Sequence, residues 1–383
     1  MRLPLLLGSI LATLLTRGAH GSVDLAPGAV VDGSQIHAFT ASAGFNGESL
    51  VVWRERTSSG DRLRASVVRH DEASVHSEPF AIFEPGGFIG EHAVAFSGDS
   101  WLVVWHWWRH LYAVRISRSG EILGPEPFVI GEVSRADLLL AASSGREFLI
   151  AWRESDFRTV IVSLAGVPST VADLDTGTPD TQAWSADLAS DGRRYLLVWT
   201  EAEYRSMFPG PTSPTHLHGI FLDRHGVSEP LTQRLLIRDV SLSGSPGVTS
   251  SGSDYLVMYR AEKEATVSGV ILAAEDPLTA QPPIEFAPWA GRFAKPAWDG
   301  RSYLIAIGGT PKAQLIFVRL DRHGSVVRRL ERQPLVFGRS PQSLHIAPGA
   351  ANDEALIVAT ENHRLLAYRE SEIGWPVRRR AVR

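Results

Sequence analysis

The chain has 383 residues, 44% of them hydrophobic and 21% charged, with a formal net charge of -4. That balance excludes a disordered chain and leaves no basic surplus for nucleic acid. Cysteine is absent, which excludes disulfides, thiol catalysis and cysteine-ligated zinc.

The first element is an export signal. Arg2 precedes an apolar run from Leu3 to Leu15, and Ala19 and Gly21 occupy small-residue cleavage positions before Ser22. A basic start, a short apolar core and small residues at the end describe a secretory signal peptide over residues 1–21. The run falls short of the roughly 20 apolar residues that span a bilayer. The mature chain, residues 22–383, is expected to be one domain with no integral membrane span, secreted or periplasmic. Lysine occurs only at positions 263, 295 and 312, an arginine bias typical of a GC-rich bacterial coding sequence.

An apolar phrase then returns seven times, each time after a tight-turn signal. It ends at Trp53, Trp105, Trp152, Trp199, Tyr259, Ile307 and Ala359, at intervals of 47 to 60 residues. The turns are Asn46-Gly47, Ser97-Gly98, Ser144-Gly145, Asp191-Gly192, Ser251-Gly252, Asp299-Gly300 and Asn352-Asp353. Gly and Asn tolerate the positive φ that a tight hairpin requires. The phrase is apolar at successive positions, so both faces of its strand are buried.

The strand before each turn carries a small residue: Gly44, Ala95, Ala142, Ala189, Thr249, Ala297 and Gly349. Small side chains suit an innermost strand, where units converge on an axis. Third strands follow at Tyr112–Ile116, Gly219–Leu222 and Leu315–Leu320, the last two closing on the same Leu-Asp-Arg-His-Gly turn. Outer strands are expected at Pro79–Phe83, Pro127–Ile130, Leu235–Ile237, Pro283–Phe286 and Pro334–Phe337, with Pro near the start as an edge strand permits. A period near fifty residues with four strands per unit predicts an all-β fold, a β-propeller of seven four-stranded antiparallel blades. The loss of Trp in the last three units leaves six or eight blades as alternatives.

These residues resemble exported bacterial β-propeller-like repeat proteins with units of turn-Gly, aromatic, Leu-Val-Val-Trp. The resemblance covers about residues 36 to 370 and implies a fold without implying an activity, because such proteins are mostly uncharacterised scaffolds.

Sialidase boxes, calcium loops, nucleophile elbows, phosphate loops and His-Glu-x-x-His are all missing from the sequence. His216 and His218 have the period-two spacing of a strand-borne chelating pair, but no third ligand lies nearby in sequence, so exposed strand residues are the simpler reading. No metal or cofactor is expected. Glu55, Glu154, Glu201 and Glu361 fall two residues beyond the phrase and Glu262 three beyond, accompanied by Arg54, Arg153 and Arg260. A ring of carboxylates would bind cations or serve as acid and base; charge pairs between blades are the plainer account.

Propeller topology puts the loops after the second and fourth strands on one face. Trp107, Trp108, Tyr204 and Phe208 are placed in the former, and Phe88, Trp184, Trp289 and Phe293 in the latter. Aromatics on loops of a rigid scaffold are binding candidates, with blade packing as the competing account. The Arg378-Arg379-Arg380 tail is a solvated extension or a contact for an anionic surface.

The function these residues support is a non-enzymatic, monomeric scaffold that binds a protein or glycan on the aromatic face. One alternative is a hydrolase or lyase acting on a polysaccharide through carboxylates near the axis, such as Asp187 or Glu201. A structural module of a cell-envelope assembly is the other.

Overall fold

The computed structural model describes residues 23–24, 35–43, 48–69, 79–176, 181–203, 215–229, 234–241, 244–262, 266–275, 282–287, 293–308, 315–332, 343–348, 355–361 and 364–369. These form seven four-stranded antiparallel sheets and no helix. The inner strands are Gln35–Ala43, Ile89–Phe96, Asp137–Ser143, Thr181–Ser190, Gly247–Ser250, Phe293–Trp298 and Ser343–Pro348. Each lies against the next, and the first lies against the seventh, so the blades close into a ring.

The second strand of each blade is the apolar phrase. Leu50 to Trp53, Trp101 to Trp105 and Phe148 to Trp152 are buried without interruption. Alternate residues go to opposite blade interfaces: Leu102 and Val104 pack toward blade three, while Trp101, Val103 and Trp105 pack toward blade one. This double burial is why the strand does not alternate apolar with polar.

The hairpin turns share one hydrogen bond, as in Ser97 N to Ser100 O at 3.0 Å, Ser144 N to Glu147 O at 3.1 Å and Ser251 N to Asp254 O at 2.9 Å. Gly145 and Gly192 take φ of 82° and 89°. A side chain there would be strained in the left-handed region. The hydroxyl of Tyr255, three residues beyond its own turn glycine, donates to Arg194 O in the preceding blade's turn at 3.2 Å. One repeat unit thereby fastens the next.

The seventh blade departs from the chain-continuous plan. Its inner three strands are Ser343–Pro348, Ala355–Glu361 and Arg364–Arg369, and Val23–Asp24 supplies the fourth. Val23 pairs with Ala367 and Asp24 with Leu366, so the two ends of the propeller share one sheet. In blade six the fourth strand is Val326–Arg332, directly after the Asp321 turn. The expected Pro334–Phe337 strand lies outside the described residues.

Gly44 and Gly349 also lie outside the described residues. Pairing places Ser42 opposite Leu50 and Ala347 opposite Leu356, the positions that Ala95, Ala142, Ala189 and Ala297 hold in other blades. The small-residue column therefore reads Ser42 and Ala347 at its ends, because the first and last hairpins are longer than the central ones. Among the described residues no helix is long and apolar enough to cross a membrane.

Candidate functional site

Three of the recurring glutamates fold back onto their own blade. On a strand, residues two apart share a face, so Glu154 and Glu201 return to the tryptophans two positions before them. Trp199 Nε1 donates to Glu201 Oε2 at 2.8 Å, and Trp152 Nε1 donates to Glu154 Oε1 at 3.3 Å. Glu201 is only 4% exposed, with His218 Nε2 3.8 Å from its carboxylate. Glu55, 1% exposed, is held by Arg62 and Arg64 on the adjacent strand. Arg158 closes on Glu154 in the same manner. The plain account expected pairs between blades; these pairs form within blades, because neighbouring strands of one sheet bring the partners together. Glu262 is exposed, and the side chain of Glu361 lies outside the described set.

His216 and His218 share a face, with ring centroids 6.4 Å apart. His218 stacks on Trp199 at 5.7 Å, and His216 Nδ1 accepts from Asp239 N at 3.4 Å. Burial pushes the His218 imidazole pKa down, while nearby Glu201 pulls it up. Among the described residues no group of three or more His, Asp or Glu is arranged to hold a metal.

The axis holds a channel of about 490 Å³. Asp187 and Glu201, each expected near the axis, part company: Asp187 lines the channel, whereas Glu201 is buried beside Trp199 on the second strand. Asp187 Oδ2 accepts from Lys295 Nζ at 3.2 Å and from Val248 N at 3.1 Å. Glu91 and His345 also line the channel. Glu91 stands where the register of its inner strand shifts between Ile89 and His92. Desolvation raises its carboxyl pKa, Arg54 opposes the shift and Asp137 adds to it, while the side chain keeps exposure to solvent.

The aromatic candidates separate sharply. Trp107 is the last residue of its strand, not a loop residue, and its ring packs on Phe83 at 5.3 Å and Tyr112 at 5.7 Å. Trp108 begins the two-residue turn that joins paired Trp107 and His110; it is 76% exposed, with φ at 55°. Trp184 lies within the inner strand of blade four, where the register shifts between Ala183 and Ser185, and is 36% exposed. Phe293 opens the inner strand of blade six. Tyr204, Phe208 and Trp289 lie outside the described residues.

Phe88, 64% exposed, stands before the inner strand of blade two, with the Arg54 guanidinium 5.0 Å from its ring centroid. Antiparallel order puts Phe88, Trp108 and the start of the inner strands, Glu91 included, on one face. Glu91 and Lys295 were not singled out from the sequence. A signal existed for Lys295: it precedes small-column Ala297 by two residues, as Asp187 precedes Ala189.

No protein-family model matches the sequence, and no curated protein does. Among solved structures, the chain is similar to polysaccharide lyase Uly1 over 89% of this chain and 90% of that one, at 12% identity and a TM-score of 0.52. It is also similar to the Dos1 propeller over 87% of this chain and 92% of that one, at 7% identity and a TM-score of 0.48. A third similarity is to a prolyl endopeptidase, at 12% identity and a TM-score of 0.48, covering 88% of this chain. The chain spans 50% of that protein's length. Likeness at such identities shows the fold alone.

Proposed function

We propose that this propeller is an exported bacterial binding scaffold, which holds a protein or glycan ligand on the face that carries Trp108 and Phe88. The observation that carries the reading is the conformation of Trp108. The first central position of a two-residue hairpin with positive φ is glycine's place, and a bulky residue there costs on the order of 1–3 kcal/mol. Trp108 recovers none of that cost by burial, because its indole stands in solvent. Neither turn chemistry nor packing accounts for a tryptophan here, whereas presentation of a flat apolar ring to a ligand does.

The carboxylates favour binding over hydrolysis or lysis. Glu55, Glu154, Glu201 and Asp187 are each engaged by an arginine, an indole, an imidazole or a lysine of the scaffold. The signal peptide expected over residues 1–21 supports export to the periplasm or beyond.

Binding is tested with wild type and Trp108→Gly on a glycan array and in pull-downs from envelope extract. The expected result is loss of the captured ligand in the variant with the melting temperature retained. Capture that survives Trp108→Gly, or cleavage of a polysaccharide that ends on Asp187→Asn, would overturn the reading.

A further inference from the structure

The axial channel carries two charges of opposite sign that the scaffold leaves underused. Lys295 of blade six has one hydrogen-bond partner among the described residues, Asp187. That carboxylate is already well supplied, since Val248 N also donates to Oδ2 and Leu188 N donates to Oδ1. The ammonium thus keeps donors for something else. Glu91 of blade two lines the same channel, is solvent-exposed, and has no hydrogen bond or ion pair within 4 Å among the described residues. Desolvation raises its proton affinity against the opposing charge of Arg54, whose guanidinium is turned to the carbonyls of Ile89 and Gly90.

Blades two and six lie across the ring from one another, with blades three to five on one side and seven and one on the other. A simple anion drawn to Lys295 shares the channel with Glu91, and a simple cation drawn to Glu91 shares it with Lys295. A molecule with an acid at one end and an amine at the other satisfies both. The space is adequate, because about 490 Å³ lies within the range of small-molecule sites and the walls between the charges carry Ala95, Ala142, Ala189 and Ala297.

We propose that the channel, whose Glu91 end opens on the face that carries Trp108, is a second binding site independent of the Trp108 ring, for a small dipolar molecule whose acidic group meets Lys295 and whose amine meets Glu91.

The test is calorimetric titration of the mature protein with unbranched amino acids bearing terminal amine and carboxylate, from β-alanine to aminooctanoate, beside alkyl carboxylates and alkylamines of matched length. One chain length should bind best, and its single-charge counterparts about tenfold or more weakly. Lys295→Gln and Glu91→Gln should each reduce that preference to the level of the matching single-charge compound. Glu91→Gln keeps the test decisive if loss of the Asp187 pair destabilises the lysine variant. Absence of saturable binding across the series, unchanged affinity in Glu91→Gln, or loss of binding on Trp108→Gly alone would overturn the proposal.

Discussion

Lys295 Nζ lies 3.2 Å from Asp187 Oδ2, joining blades four and six across the inner end of blade five. The two residues stand 108 positions apart in the chain. Both side chains are partly solvated in the channel, so the pair is a modest staple. A double-mutant cycle with Asp187→Asn and Lys295→Gln should give a coupling of about 1 kcal/mol, reduced by added salt. A coupling of zero at low salt would mean that the pair does not hold the blades together.

Trp108→Gly should leave the melting temperature unchanged or raise it, with a gain of up to about 1 kcal/mol. Glycine relieves the positive φ, and its greater freedom in the unfolded chain offsets part of that gain. Thermal unfolding with far-UV circular dichroism checks this. A clear loss of stability would show that the indole has a packing role.

Glu201→Ala should destabilise the protein by about 1–3 kcal/mol, because it leaves the Trp199 indole N–H buried without its acceptor. Glu201→Gln retains an acceptor and should lose less. Denaturant unfolding of the two variants separates the roles, and equal losses would point to the charge rather than the hydrogen bond.

His92 is buried at the interface of blades one and two, and desolvation, reinforced by Arg54, lowers its pKa from 6.5 to about 4. The unfolded chain therefore takes up a proton before the folded one does. Stability should fall as pH drops from about 6.5 toward 4, by about 3 kcal/mol at most, and this contribution should level off below that window. In His92→Gln the fall across the same window should shrink by that amount, as read from melting temperature against pH.

Removal of Val23 and Asp24 should expose the edge of Arg364–Arg369 and loosen ring closure. Hydrogen exchange is the direct readout: amides of Ala355–Glu361 and Arg364–Arg369 should lose protection before those of blades two to four. Uniform protection across all seven blades would show that closure does not depend on this strand.

Much of the architecture is legible in the sequence because its signals are local and repeated. Seven turn signals, seven apolar phrases and a column of small residues each reflect a period within one blade, and repetition makes a weak local preference decisive. The ends of the column lie at Ser42 and Ala347 rather than Gly44 and Gly349, because register is set by strand pairing and not by distance along the chain from the turn.

Tertiary structure alone decided the rest. Trp107 and Trp108 are neighbours of one residue type, yet one closes a strand against Phe83 and Tyr112 and the other opens a turn into solvent. A single step of hairpin phase reverses their exposure, and composition carries no trace of it. Glu201 and Asp187 both looked like axial carboxylates, but strand position sends one beneath Trp199 and the other into the channel. The meeting of Asp187 with Lys295, and of Val23 with Ala367, depends on how many blades close the ring. Ring closure is a property of the whole chain, so no local stretch of sequence contains it.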